Sequence, residues 1–344
     1  MPEAEEPPVP TPVRRGSEFA ELARTMREAG LLDRRRGYYV GVIAVIAVVF
    51  AAAVAGFVAI GDSWWAIGLA PVFAVLFTQC GFIGHDAGHR QTFTSSRAND
   101  VLGYAAGNLA IGLGYGNWVI KHNAHHANPN HEDRDPDIQI PVIAFSTEQA
   151  AGRRGPAGFI TRHQALLFFP LLLLEGLNMH ITSVAAIAGG RVRARRLEAV
   201  LLAAHAVLYL GTVFLVLSPG PAVVFILVQQ GLFGLYLGAS FAPNHKGMPI
   251  VSAADQLDPV RKQVLTSRNI RGSWSVDLAL GGLNYQIEHH LFARMPRPNL
   301  RRAQPLVAAF CARQDISYTE TGFVDSYAQT LRHLHTTSAP LRAG

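Results

Sequence analysis

The stretch KHNAHHANPNHEDRDPD, from Lys121 to Asp137, determines how the rest of the chain is organised. Its histidines His122, His125 and His126 stand at positions i, i+3 and i+4, which share one face of a helix. Three imidazoles on one face can bind a common metal ion, and imidazole suits zinc, copper, iron and nickel. The spacing therefore predicts a helical metal site without choosing its metal.

Histidines recur in three other stretches. HDAGH places His85 and His89 at i and i+4. QIEHH ends on the pair His289 and His290, and His245 stands alone in PNHKG. Together with His122, His125 and His126, these five residues make up eight of the fourteen histidines in the chain. Groups of this number and spacing predict more than one metal ion.

The composition is that of a membrane protein. Of the 344 residues, 49% are hydrophobic and 16% are charged, the mean hydropathy is positive, and the apolar residues are gathered into runs. The net charge of +6 then indicates basic loops on one side of a membrane rather than a nucleic-acid partner. Cys80 and Cys311 are predicted to be reduced thiols, because one lies in an apolar run and the other in a polar tail.

Four apolar runs are long enough to cross a bilayer, which needs a helix of roughly 20 residues. Short links, 61–62 and 218–221, join them in pairs and predict two transmembrane hairpins. All 30 Lys and Arg residues lie outside these links. The positive-inside rule therefore places both termini and every histidine group on the cytoplasmic side. The predicted spans are about 38–60, 63–84, 197–217 and 222–242.

The remaining segments are assigned around these spans. Residues 1–37 are predicted to be a cytoplasmic segment, with a disordered start and then an amphipathic helix from Ser17. The apolar stretches 101–119 and 164–188 are predicted to be interfacial or partly inserted helices. The second of them carries ionisable residues, which are costly at a bilayer centre. From Arg301 onward the helical pattern predicts a cap on the cytoplasmic face.

The predicted fold class is thus an all-α integral membrane protein. It has four transmembrane helices in two hairpins, interfacial helices and a cytoplasmic helical cap that holds a His-rich di-metal site. Residues 38–335 are predicted to form one membrane domain, and 336–344 a flexible C-terminal tail. The expected location is the bacterial cell membrane.

The boxes HDAGH, HNAHH and QIEHH, in this order and with paired spans between them, resemble the membrane-bound fatty acid desaturases. The resemblance covers about Phe19 to His335. GGLNYQIEHHLF and APNHKG are similar to the front-end, linoleoyl-CoA desaturase-like subgroup. There are two departures: no His-Pro-Gly-Gly haem segment of a fused cytochrome b5 domain is present, and Ala293 stands where the family often has proline.

The resemblance implies a fatty acyl desaturase with a non-haem di-iron centre. Such an enzyme uses dioxygen to place a cis double bond in a long acyl chain. Gln286, at the head of the third box, would contact either a metal or one of its ligands. The iron ligands would fall on His85, His89, His122, His125, His126, His245, His289 and His290.

The resemblance also implies partners. Dioxygen takes up four electrons and the substrate gives two, so a ferredoxin or similar carrier with an NAD(P)H reductase would deliver the rest. The acyl chain would be bound to CoA, a carrier protein or a lipid. A metal-bound imidazole is usually oriented by a carboxylate or carbonyl that accepts a hydrogen bond from its other ring nitrogen. The candidate carboxylates are Asp86, Asp133, Asp135, Asp137 and Glu288.

Other classes remain open from the sequence. A di-iron lipid hydroxylase or ketolase could share the histidine boxes, and a zinc hydrolase of lipids is a further option. A His-rich metal transporter would place its ligands near mid-membrane. The four predicted spans contain one histidine, His205, which disfavours transport.

Overall fold

A computed structural model of the protein describes residues 17–342, which are mostly helical. The predicted disordered start, 1–15, lies outside the described residues. In the first half the helices are α1 (Ser17–Glu28), α2 (Arg36–Ile60), α3 (Ala70–Gly88), α4 (Ser96–Gly103), α5 (Tyr115–Ala127), α6 (Thr147–Ala151), α7 (Gly155–Arg162), α8 (Gln164–Leu172) and α9 (Glu175–Ala188).

The second half adds the longest helix and most of the short ones. Its helices are α10 (Arg195–Val216), α11 (Pro219–His245), α12 (Pro259–Leu265), α13 (Trp274–Ala279), α14 (Gln286–Leu291), α15 (Arg297–Arg313), α16 (Phe323–Thr337) and α17 (Ala339–Arg342). There are also 3-10 helices at Trp64–Leu69 and Ala253–Asp255, a π-helix at Tyr104–Ala110, and two short parallel strands, β1 (Asn269–Ile270) and β2 (Glu320–Thr321).

Four helical segments are long and apolar enough to cross a membrane, as the sequence predicts. Two of them extend three or four residues further than predicted, because helical hydrogen bonding continues past the last apolar residue. As a result, His85 lies in the last turn of α3 and His245 is the last residue of α11. The four segments are Arg36–Ile60, Trp64–Gly88, Arg195–Val216 and Pro219–His245.

The two predicted links lie side by side. The backbone N–H of Ser218 donates a hydrogen bond of 2.8 Å to Asp62 Oδ1. Both α3 and α11 start close to this contact and end at a histidine group. The links and the histidine groups therefore occupy opposite ends of these helices.

Aromatic side chains pack α2, α3 and α11 together near the links. The rings of Phe57 and Phe225 lie 4.8 Å apart, and Phe73 lies 6.0 Å from Phe57 and 5.9 Å from Phe225. All three are buried. Such pairs add to the stabilisation that burial of their surface provides.

Neither of the two weaker apolar stretches is a straight helix. In 101–119 the chain passes from α4 through the π-helix into a turn, where Leu113 N donates to Gly107 O over 2.9 Å and Gly112 has a φ of 70°. In 164–188 the axes of α8 and α9 differ by 69°. Their predicted position at the interface or partly inserted stays a prediction.

Two histidines form hydrogen bonds with backbone carbonyls in the irregular part of 101–119. His205 Nδ1 lies 3.0 Å from Leu109 O, and His180 Nδ1 lies 2.9 Å from Gly112 O. Carbonyl groups that regular helical bonding leaves unpaired need other donors, and the two rings supply them here. These contacts hold the segment that leads into α5, which carries the central histidine box.

A helical cap covers the histidine end of the spans. Its core joins α1, α12, α14 and α15 through buried residues such as Met26, Val264, Ile287 and Phe310. α16 packs against α8 and α11. Within the predicted C-terminal tail, the described residues are helical in α17.

Candidate metal centre

Eight histidines from four parts of the chain meet in one cluster beneath the cap. The end of α3 and the residue after it supply two, α5 supplies three, the last residue of α11 supplies one and α14 supplies two. Seven are buried and His126 is partly exposed. They are the eight that the sequence singles out: His85, His89, His122, His125, His126, His245, His289 and His290.

The helical spacing produces the expected convergence. In α5, the rings of His122 and His126 lie 4.6 Å apart, one turn of helix from each other. At the end of α3, the rings of His85 and His89 lie 4.7 Å apart. Trp118, one turn before His122, stacks on its ring at 4.4 Å with an interplanar angle of 22°.

The nitrogen atoms form two groups of potential metal donors. In each group one nitrogen per residue lies within 4.8 Å of all the others. His126 Nε2 belongs to neither group by this measure, and lies 3.1 Å from both His122 Nε2 and His289 Nε2. The first group is His85, His89, His122 and His289, and the second is His125, His245 and His290.

Several of these nitrogens are buried without a hydrogen-bond partner: His85 Nε2, His289 Nδ1 and His290 Nε2. Buried polar atoms are normally satisfied, and a buried exception calls for an explanation such as an ion. Neutral imidazoles that converge in this way, with several nitrogens lacking a hydrogen-bond partner, fit a pair of metal ions. The residues present are therefore compatible with a metal site.

Some of the clustered histidines lie outside the membrane-spanning segments, and burial keeps these in the neutral form that binds metal. Desolvation, followed by the proximity of the other imidazoles, lowers the pKa values of His122, His126, His289 and His290 well below the usual range. A metal ligand must be the neutral imidazole. These four imidazoles are thus neutral at physiological pH, and a cation can bind them without displacing protons.

Two of the predicted carboxylates orient histidines. Asp86 Oδ1 lies 3.2 Å from His85 Nδ1, and its other oxygen forms an ion pair of 2.6 Å with the buried Arg297. Both oxygens of Asp135 lie 3.0 Å from His125 Nδ1. Each contact turns the opposite nitrogen, Nε2, toward the centre.

Asp137 lies 3.6 Å from His125 Nδ1 and pairs with Lys121 at 2.8 Å. His125, Asp135 and Asp137 also form a group with metal-ligand spacing. The Asp135 oxygens, however, accept hydrogen bonds from the backbone N–H groups of Asn130 and Asp137. The acidic pair is accordingly a support for His125 and not a third metal position.

The other two carboxylate candidates were wrong. Asp133 is exposed and its side chain contacts none of the eight histidines. Glu288 precedes His289, and adjacent residues point in different directions on a helix. Its carboxylate accepts from Asn269 Nδ2 and the Tyr318 hydroxyl, each at 2.7 Å, and burial raises its pKa to about 7.

Gln286 reaches the second donor group. Its Nε2 lies 2.9 Å from His245 Nε2, and its Oε1 accepts from Asn244 Nδ2 over 3.3 Å. The side chain is 3% exposed, so no solvent competes for the amide. Among the described residues, Gln286 is the only side chain of the third box, besides its two histidines, that forms a hydrogen bond with a clustered histidine.

Sequence reasoning missed further supports. Gln263 Oε1 lies 2.8 Å from His290 Nδ1, and its Nε2 donates to His126 O over 2.8 Å. Arg297 was missed as the partner of Asp86. No spacing rule links these residues to the boxes, because α12 and α15 approach only in the folded chain.

The six other histidines lie outside the cluster. His180 and His205 bond to the backbone carbonyls described above. His333 Nε2 bonds to Phe145 O at 3.0 Å. His131 is buried, and its Nδ1 accepts from the N–H of Asp133. None of the six belongs to a donor group.

Buried imidazoles gathered at the ends of apolar helices define a membrane-associated protein with a histidine-rich metal site. The family model described as "Fatty acid desaturase" matches residues 62–322. This match covers most of the chain and includes all eight histidines. The chain belongs to the fatty acid desaturase family, as its histidine boxes predict.

Characterised relatives agree with this assignment. The chain is 31% identical over 329 residues to an acyl-lipid (9-3)-desaturase from Physcomitrium patens, covering 92% of this chain and 62% of the relative. It is 28% identical to an acyl-lipid (9-3)-desaturase from Borago officinalis, covering 94% of this chain and 75% of the relative. A Delta(5) fatty acid desaturase from Caenorhabditis elegans is 29% identical, with 90% and 70% covered.

These relatives belong to the front-end type that the third box predicts. They support the assignment of the chain as an oxidoreductase that acts on fatty acyl chains. The chain spans 62% of the moss relative's length. All three relatives are eukaryotic, so they give no support to the predicted bacterial membrane.

Proposed function

We propose that the chain is an oxygen-dependent fatty acyl desaturase that introduces a cis double bond into a long acyl chain. The observation that carries the proposal is the meeting of eight histidines in a buried cluster at the ends of the apolar helices. The family assignment gives this cluster its chemistry.

The proposed cofactor is a pair of non-haem iron ions held by the eight histidines, with dioxygen as co-substrate. The first donor group would hold one iron. The second would hold the other, with the amide of Gln286 as a further contact. Iron and dioxygen, when bound, supply the oxidising power for removing hydrogen from an unactivated methylene, which no side chain can supply.

The chain's own residues hold this site in position. Asp86, Asp135, Gln263 and the carbonyl of Thr266 each occupy the Nδ1 side of one histidine. The rings are therefore fixed before any metal arrives, and their Nε2 atoms face inward. Burial excludes water, which would otherwise compete for the donors.

The proposed topology is two hairpins with both termini and the metal centre on the cytoplasmic side. The contact between Asp62 and Ser218 supports it, because it places both links at one end. All Lys and Arg residues lie outside the links 61–62 and 218–221. An electron carrier of the ferredoxin type, supplied by an NAD(P)H reductase, would then reach the centre from the cytoplasm.

The proposed substrate is an acyl chain attached to a lipid. The names of the moss and borage relatives favour this choice over CoA or a carrier protein. A lipid-bound chain would remain in the bilayer beside the spans, while its reacting carbons approach the cluster at their ends.

The test is expression in a host of known lipid composition, followed by mass spectrometry of its fatty acids with localisation of double bonds. We expect a new unsaturated product, located in the glycerolipid fraction. His122→Ala, which removes a donor of the first group, should abolish the product, and His163→Ala should not. A hydroxylated or oxygenated lipid in place of an alkene would contradict the proposal.

A further inference from the structure

The end of α11, which carries His245, needs partners from outside the helix. Pro243 lies in its last turn, and proline has no N–H to bond with the carbonyl of Ala239. The end of a helix leaves further carbonyls unpaired. Buried carbonyls require other donors, and two separate parts of the chain supply them here.

Arg268 binds this end through its backbone and its side chain. Its N–H donates to Asn244 O over 2.8 Å. Its guanidinium donates to Pro243 O over 2.8 Å from Nε and to Lys246 O over 2.7 Å from Nη2. One side chain thus joins the carbonyls on both sides of the histidine that ends α11.

The residues beside Arg268 reach the metal centre directly. The carbonyl of Thr266 lies 3.0 Å from His245 Nδ1, so Nδ1 donates and Nε2 faces the other histidines. Asn269 Oδ1 accepts from the N–H of Ile287 over 2.9 Å, at the start of α14. This short segment therefore joins the two elements that supply His245 and the third box.

Arg268 carries a charge without a carboxylate partner. It is fully buried, and none of the ion pairs among residues 17–342 includes it. Burial lowers its pKa to about 10, which leaves it a cation at neutral pH. Its charge lies at the carbonyl end of α11, where the helix dipole is negative.

α16 supports the same helix end. Gln329 Oε1 accepts from Arg268 Nη1 over 2.5 Å. The hydroxyl of Tyr327 donates to Ala239 O over 2.9 Å, and so satisfies the carbonyl that the proline leaves free. α16 begins at the residue after the family match, 62–322, ends.

We propose that Arg268, held by Gln329 of α16, is a positioning residue that places His245 for metal binding in the second donor group. The inference rests on the proposed function, since it requires two metal positions. The first donor group includes no residue of α11. Loss of the Arg268 contacts should therefore empty one metal position and leave the other filled.

The test is elemental analysis of purified full-length protein after loading with ferrous iron. We expect two irons per chain in the wild type and one in both Arg268→Lys and His245→Ala. Lysine keeps the charge but has a single nitrogen, which cannot reproduce the planar fork of arginine. Hydrogen exchange at the amides of 242–248 should be at least tenfold faster in Arg268→Lys.

Arg271→Lys is the matched control, because Arg271 is exposed and lies three residues further along the chain. It should retain two irons. Two irons in Arg268→Lys would overturn the proposal, and so would loss of both irons in that variant. A wild type that binds no iron would overturn the proposed function itself, and the two failures are thus distinguishable.

Gln329 provides a milder variant in case Arg268→Lys does not fold. Gln329→Leu removes the acceptor of Arg268 at a residue whose side chain makes no hydrogen bond to the eight clustered histidines, whereas Gln329→Glu keeps an oxygen there. In chelator competition we expect Gln329→Leu to bind the second iron several-fold more weakly and Gln329→Glu to bind it as the wild type does. Equal binding by Gln329→Leu and the wild type would overturn the proposal.

Discussion

At the scale of single residues, the atom on the outer side of each imidazole matters as much as the imidazole itself. His85 meets a carboxylate, His245 a backbone carbonyl and His290 an amide oxygen. Each of these acceptors favours a proton on Nδ1 and leaves Nε2 free for a metal. Substitution of an outer partner should therefore weaken metal binding without removing a ligand.

Asp86→Asn tests this expectation. The amide keeps the size of the side chain but loses the charge, so His85 is held less firmly and the buried Arg297 loses its partner. Loss of such an outer contact costs about 10–100-fold in metal affinity, which chelator competition would measure. Asp133→Asn, at an exposed position whose side chain makes no hydrogen bond to the eight clustered histidines, should bind iron like the wild type. An unchanged affinity in Asp86→Asn would show that His85 does not depend on the carboxylate.

Gln286 is a second test at this scale. Gln286→Leu keeps much of the shape and loses the amide that lies 2.9 Å from His245 Nε2. We expect it to lose most of the desaturation activity while its melting temperature changes little. Gln286→His should retain iron, because its imidazole restores a metal-binding nitrogen beside His245. Full activity in Gln286→Leu would assign the position to the scaffold.

At the scale of helices, periodicity located the spans and the donors but not the breaks between them. The spacing in HNAHH was enough to predict three converging imidazoles on α5. The π-helix before α5 was not predictable, because it depends on His180 and His205, which are distant in sequence. Glu288 was misjudged because adjacency in the sequence is not adjacency on a helical face.

His205→Leu tests the role of that break. The substitution leaves the carbonyl of Leu109 without its partner in a partly buried place, which costs about 1 kcal/mol, the lower end of the range for an unpaired polar group. We expect a lower melting temperature in detergent with an unchanged iron content, since His205 belongs to neither donor group. His163→Ala, at a partly exposed position, should alter neither property. Loss of iron from a fully folded His205→Leu variant would contradict the assignment of His205 to the backbone and not to the metal.

At the scale of the whole molecule, the distribution of charge and the histidine groups indicate the same orientation. The sequence was sufficient to place every basic residue outside the two links. It could not show that the links touch each other, because the contact between Asp62 and Ser218 joins residues far apart in the chain.

Cysteine labelling tests the orientation. Gly220→Cys introduces a thiol in the second link, 218–221, and Arg271→Cys introduces one in the cap. Both positions are exposed, and the native Cys80 and Cys311 are buried. A membrane-impermeant maleimide added to intact cells should label Gly220→Cys and not Arg271→Cys until the cells are opened. The reverse pattern would invert the proposed topology.

The measurement that tests the central claim most directly is the metal content of protein that is active in desaturation. Elemental analysis should find two irons per chain, and replacing any one of the eight histidines with alanine should lower that number and abolish the double bond. One metal per chain in fully active protein, or zinc in place of iron, would contradict the di-iron account.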